Sequence, residues 1–119
     1  MDRSEIRALL GLPLMELVAK ANKVRRNAAG DGIELCTIMN AKSGECAEDC
    51  KFCAQSARHS TGISTYPLRG KGEMVKAAER AKAIGAHRFD IVTSGDSLSK
   101  DELRNIIEAI SEIRSRMDI

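Results

Sequence analysis

The chain has 119 residues, 43% hydrophobic and 30% charged, with no tryptophan; this suits one small globular domain with a modest core. A formal net charge of +2 is too near balance for nucleic acid or an anionic membrane to be the main partner. No apolar run approaches the roughly 20 residues that span a bilayer, and the N-terminal stretch Ala8-Leu9-Leu10 is too short for a signal peptide. The expected location is therefore cytoplasmic, where thiols stay reduced and four cysteines point to metal chemistry before disulfides.

Asp2–Leu10 is expected to form a short helix stopped by Gly11 and Pro13. A second helix runs from about Leu14 to Ala28, with Leu14, Leu17, Val18, Ala21 and Val24 on one face and Gly30 and Gly32 after its end. Lys23, Arg25 and Arg26 read as its solvated side. Ile33–Met39 is rich enough in β-branched residues to be a strand. From Asn40 to Lys71 neither period is sustained; a loop this long inside a compact domain is usually functional or disordered, and three of the four cysteines argue for function. From Gly72 on, Met74, Val75, Ala78, Ala81 and Ile84 make an amphipathic helix closed by Gly85. His87–Thr93 is the second strand, ending in the turn Ser94-Gly95-Asp96. Ser99 and Glu102 form a capping box, and the helix it opens places Leu103, Ile106, Ile107, Ile110 and Ile113 on one stripe.

Strands alternating with amphipathic helices predict an α/β fold with a parallel sheet. Two strands are too few to bury both faces of such a sheet, and residues 113–119 stop where a third strand would begin. The expectation is a truncated opening portion of a larger barrel or open sheet, divided into a helical extension over 1–32 and two β/α units over 33–119. A complete (β/α)₈ barrel takes roughly 200 residues or more.

Cys46, Cys50 and Cys53 form a C-x₃-C-x₂-C array. Three thiolates so close in sequence converge on one centre only if the backbone wraps around it. Three ligands would leave one iron of a four-iron cluster without a protein ligand, open to a substrate. A structural zinc site wants four ligands, usually in paired C-x₂-C units or with histidines at set spacing. His59 could supply a fourth ligand, although its spacing fits no common zinc pattern. Zinc and, more remotely, a disulfide remain as alternatives at this level.

The array directly after a first strand, with Phe52 before its last cysteine, resembles the radical S-adenosylmethionine superfamily. The longer string from Cys36-Thr-Ile-Met-Asn-Ala-Lys-Ser-Gly-Glu-Cys46 through Cys53-Ala-Gln-Ser-Ala-Arg58 resembles the biotin synthases, particularly the branch common in anaerobes. The resemblance implies the N-terminal part of a TIM-type (β/α) barrel preceded by two helices. It implies that Cys46, Cys50 and Cys53 ligate a 4Fe–4S cluster whose fourth iron is chelated by the amine and carboxylate of S-adenosyl-L-methionine. The reduced cluster would break the sulfonium C–S bond and release a 5′-deoxyadenosyl radical. Phe52 would lie near the adenine, and Thr93, Ser94 and Gly95 near the methionine end of the cofactor; the other reading of Ser94-Gly95-Asp96 is an ordinary strand-to-helix turn.

The family's reaction is sulfur insertion into dethiobiotin to form biotin, with sulfur from a second, auxiliary iron–sulfur cluster. An electron donor such as flavodoxin or ferredoxin, and a homodimer when full length, are further implications; the isolated 119 residues are expected to be inactive. The pattern departs from the family in the second strand, where Arg88-Phe89-Asp90 carries a carboxylate in place of a cluster cysteine, a harder and poorer ligand for such a centre. Cys36, one strand away, is the candidate replacement, its other reading being a small apolar residue. Arg88 would approach the second cluster or the substrate, its other reading being a surface arginine; His59 and His87 stay unassigned, the first read as exposed loop and the second as a strand-edge residue. The alternatives are a sister enzyme performing a rearrangement or cofactor maturation, and a non-catalytic iron–sulfur or zinc module.

Overall fold

The computed structural model describes residues 1–119 as two compact units, Met1–Ile33 and Glu34–Ile119. The first consists of helix α1 (Arg3–Leu10) and helix α2 (Leu14–Ala29). Asp2 caps α1: its carboxylate accepts from the Ser4 and Glu5 amides at 2.8 and 2.9 Å, while Glu5 reaches back to the Asp2 amide. This reciprocal pairing satisfies amides that have no partner within the helix. At the end of α2 the amide of Gly30, at φ 73°, donates to the Arg26 carbonyl. Arg25 donates to the carbonyls of Gly30 and Gly32, and Arg26 pairs with Asp31. Arg25 and Arg26 therefore tie down the helix end, where cations also complement the dipole, beyond the solvated side expected of them. Neither helix buries a residue.

The second unit runs β1 (Cys36–Lys42), α3 (Lys71–Ala83), β2 (Arg88–Thr93) and α4 (Lys100–Arg116). The strands pair in parallel from Cys36↔Arg88 to Lys42↔Thr93. This is an α/β arrangement of strand–helix units after N-terminal helices, with a two-stranded sheet and not a closed barrel. No helix is long and apolar enough to cross a membrane.

β1 lies three residues later at each end than the sequence predicts, because pairing with β2 sets its limits. The Leu35 carbonyl accepts from the amides of both His87 and Arg88, and the Leu35 amide donates to His87 Nδ1 at 3.1 Å, so pairing proper begins at Cys36. The register slips between Asn40 and Lys42. The extra residue, Ala41, is fully buried against Met74 and Ala109. Such a bulge bends the strand where the long loop departs.

Thr37, Met39 and Ala41 alternate with Cys36, Ile38 and Asn40 in burial, as Phe89, Ile91 and Thr93 do with Arg88, Asp90 and Val92. The first set faces α3 and α4, where Val75, Ala78 and Ile113 gather Phe89 and Ile91. The second set is exposed, leaving one face of the sheet uncovered. Ile84, expected on the α3 stripe, is exposed, because it lies past the last turn and the chain reverses at Gly85, φ 84°. Of the α4 stripe, Ile113 is buried and Ile106 packs on the core, whereas Leu103, Ile107 and Ile110 are exposed. The buried arc is instead Ile106, Ala109 and Ile113, where α3 reaches it.

Ser99 and Glu102 form the expected capping box. Glu102 also accepts from Lys42 Nζ at 2.7 Å, joining α4 to the end of β1. This lysine, and next the Ser99 amide, hold the Glu102 carboxyl below the usual carboxylate range. A lowered folded-state value stabilises the fold above the unfolded pKa, and that stabilisation is lost as pH falls through the folded value. Glu102→Gln is expected to flatten the fall in urea midpoint as the pH drops below about 5; a profile as steep as wild type would refute this role. Some slope will persist, since Glu73 and Glu112 are lowered too, by Arg69 and Lys71 respectively.

Candidate metal centre

The loop from Ser43 to Gly70 contains no helix or extended strand, yet it is tied at two levels. Ser43 and Tyr66 exchange backbone hydrogen bonds at 3.0 and 3.1 Å, and Tyr66 Oη donates to the Asn40 carbonyl. Arg69 lies over the Tyr66 ring, 4.4 Å from its centroid, a cation–π contact, and its amide donates to the bulged Ala41 carbonyl. Inside this outer closure, the Cys46 amide donates to the Gln55 carbonyl at 3.0 Å and the Ala57 amide to the Cys46 carbonyl at 2.8 Å. A neck forms between Cys46 and Ser56, and the loop between them carries Cys50 and Cys53.

The neck is anchored to the sheet through Gly44. Gln55 Oε1 accepts from the Gly44 amide at 2.5 Å and from Ser43 Oγ at 3.2 Å. Ser94, buried at the end of β2, donates from Oγ to the Gly44 carbonyl at 2.7 Å and from its amide to the Lys42 carbonyl. Gly44 itself has φ 80°, in the left-handed region that favours glycine.

Cys46 is buried at the neck, Cys53 half-buried and Cys50 exposed; none is in a disulfide. The Cys53 amide donates to the Cys50 carbonyl at 2.9 Å, turning the chain back between these two. Phe52, between them, is 96% exposed, with its ring free of packing. Thr93 is half-buried and Gly95, at φ 104°, exposed. The structure thus brings Ser94 to the base of the cysteine loop, while Phe52 and Gly95 stand clear of neighbours.

No three or more His, Cys, Asp or Glu side chains are gathered closely enough to hold a single metal ion. A four-iron cluster makes a different demand, because each thiolate binds its own iron and the thiols need not meet at one point. Three free thiols on one loop closed at its neck fit that donor set.

His59, considered as a fourth ligand, has Nδ1 3.2 Å from the Cys53 carbonyl oxygen and Nε2 3.2 Å from Asp49 Oδ1. Each ring nitrogen thus faces a protein oxygen, and which of the two carries the proton depends on the tautomer. Sequence reasoning missed this contact, and also Gln55, the polar hub of the neck. Gln55 stands two residues after the last cysteine, its only advance signal.

On the open face of the sheet, Cys36 Sγ donates to Asp90 Oδ2 at 3.4 Å. Partial desolvation first, then the hydrogen bond and charge of Asp90, raise the Cys36 thiol above its ordinary pKa. Arg88 pairs with Glu34 at 2.5 Å, both side chains exposed. Cys36 and Asp90 share a sheet face.

No family model matches the chain. Among curated proteins it is 45% identical over 118 residues to biotin synthase 2 of Corynebacterium diphtheriae, covering 98% of this chain and 36% of that protein. It is 44% identical to biotin synthase of Clostridium perfringens over 100% of this chain and 37% of the relative. Over this length the chain is homologous to the biotin synthases. Biotin synthase of Natronomonas pharaonis matches at 44% identity over the whole chain and 33% of its own length. The chain spans about a third of the length of the biotin synthases it matches.

Proposed function

We propose that this chain is the cluster-binding portion of a radical S-adenosylmethionine enzyme of the biotin synthase kind, acting on dethiobiotin. The observation that carries the reading is the loop itself: Cys46, Cys50 and Cys53 are free thiols on one segment closed by the Cys46–Ser56 bridge. When bound, a 4Fe–4S cluster on these thiolates supplies the electron that cleaves the sulfonium of S-adenosyl-L-methionine. The protein's part is to hold the thiolates, to leave one iron free of protein ligands and to present cofactor contacts beside them. Ser94, fastened to Gly44, sets the distance between the end of β2 and the loop. Thr93 and Gly95, on either side of it in the chain, would face the methionine end of the cofactor, and the exposed Phe52 would be available to the adenine. An electron carrier of the flavodoxin or ferredoxin kind would deliver the electron.

The test is anaerobic reconstitution of the chain with iron and sulfide, with iron and zinc analysis. About four irons per chain with a reducible cluster spectrum would support the reading; zinc alone or no iron would overturn it. Conversion of dethiobiotin to biotin by the full-length protein tests the substrate and excludes a rearrangement or maturation enzyme.

Cys36 is proposed to help hold an auxiliary cluster on the open sheet face, where it is the only thiol in either strand. Cys36→Ala in the full-length enzyme is expected to abolish sulfur insertion while sparing cofactor cleavage. Biotin formation at the wild-type rate would refute that assignment.

A further inference from the structure

The segment just after the cysteine array folds back over it, and four of its side chains each fasten a different point of the loop. Ser56 Oγ donates to the Glu48 carbonyl at 2.6 Å. Arg58 Nε donates to the Ala47 carbonyl at 3.2 Å, and Thr61 Oγ1 donates to the Ala54 carbonyl at 2.8 Å. His59 takes the central position, facing the Cys53 carbonyl with one nitrogen and the Asp49 carboxylate with the other. Asp49 immediately precedes Cys50, and the Cys50 carbonyl accepts from the Cys53 amide. The imidazole therefore bridges both ends of the Asp49–Cys53 turn, which contains two of the three thiols.

We infer that His59 is a positioning residue for the cluster loop, bridging Asp49 and Cys53 so that Cys50 and Cys53 are held ready for iron. The inference rests on the cluster reading above and assigns His59 a role other than ligation. The ring is half-buried, and each nitrogen has an oxygen neighbour that a freely moving loop would have to find again. Cys50 is exposed, with no packing of its own to fix it. Its position depends on the turn, and the turn on its two ends. Partners beyond the ligands of a metal site typically contribute about 10- to 100-fold in metal affinity.

The experiment compares the wild-type chain with His59→Ala, His59→Gln and Asp49→Ala after anaerobic loading with ferrous iron and sulfide. Bound iron, its rate of loss to a strong chelator and the electron paramagnetic resonance of the reduced protein are recorded with thermal melts by circular dichroism. His59→Ala is expected to lose iron about 10- to 100-fold faster than wild type, with an altered resonance line shape. His59→Gln, whose amide can still donate to one of the two oxygens, should recover part of the loss. Should His59→Ala fail to fold, Asp49→Ala removes the other end of the bridge at an exposed position and is expected to shift iron loss in the same direction. Wild-type retention and line shape in the folded His59→Ala variant would overturn the inference, as would an unaltered Asp49→Ala. Wild-type protein that takes up no iron would instead overturn the cluster reading and this inference with it.

Discussion

Cys50→Ala should eliminate the cluster and leave the fold standing. The thiol is exposed and makes no side-chain hydrogen bond, so its removal opens no cavity, and surface changes of this kind usually fall within about 0.5 kcal/mol. Its chemical loss is complete, since a cluster bound by two thiolates lacks a ligand that neither water nor Asp49 replaces with comparable softness. The expected result is iron content near background after reconstitution, a thermal midpoint within a few degrees of wild type and, in the full-length enzyme, cofactor cleavage reduced by more than the roughly 100-fold attributable to outer partners. Cys46→Ala should remove iron equally and also lower stability, because that side chain is 8% exposed and packed at the neck. The contrast separates ligation from packing. Full iron uptake by Cys50→Ala would remove Cys50 from the ligand set and, with it, the open-iron argument.

The largest effect on stability is expected at Gly44. A Cβ there would lie 2.4 Å from Thr65 Oγ1, 2.9 Å from Cγ2 and 3.0 Å from Cβ. Threonine is stiff about χ1, and its own Cβ is part of the obstruction, so rotating the side chain does not clear the space. The left-handed backbone adds strain to the clash. Gly44→Ala is expected to cost about 2–4 kcal/mol, a fall of roughly 10 °C or more in thermal midpoint for a unit of this size. Because Gly44 also meets Gln55 and Ser94, iron retention should weaken along with stability. Pairing Gly44→Ala with Thr65→Gly removes the clash but not the backbone strain, so Gly44→Ala should cost less in the Thr65→Gly background than in the wild type, though still something. Strict additivity of the two changes would show that the close approach to Thr65 is not the cause.

Local patterns carried much of this protein into view without coordinates. The helices could be read because apolar residues recur at helical spacing and because Ser99 and Glu102 satisfy each other's end of α4 across only three residues. The array Cys46, Cys50 and Cys53 was legible for the same reason: its spacing lies within one short segment, although how the thiols are turned depends on the fold of the loop. Contacts between distant residues left no such trace. The limits of β1 follow from its pairing with β2, and the part of α4 that is buried follows from where α3 lies against it. Cys36 and Asp90 meet across 54 positions, and Ser94 reaches Gly44 across 50; chain periodicity cannot encode either encounter. His59 shows the division most plainly. Its sequence position left it unassigned, whereas its two oxygen neighbours, brought to it by the folding back of the loop, point to a brace.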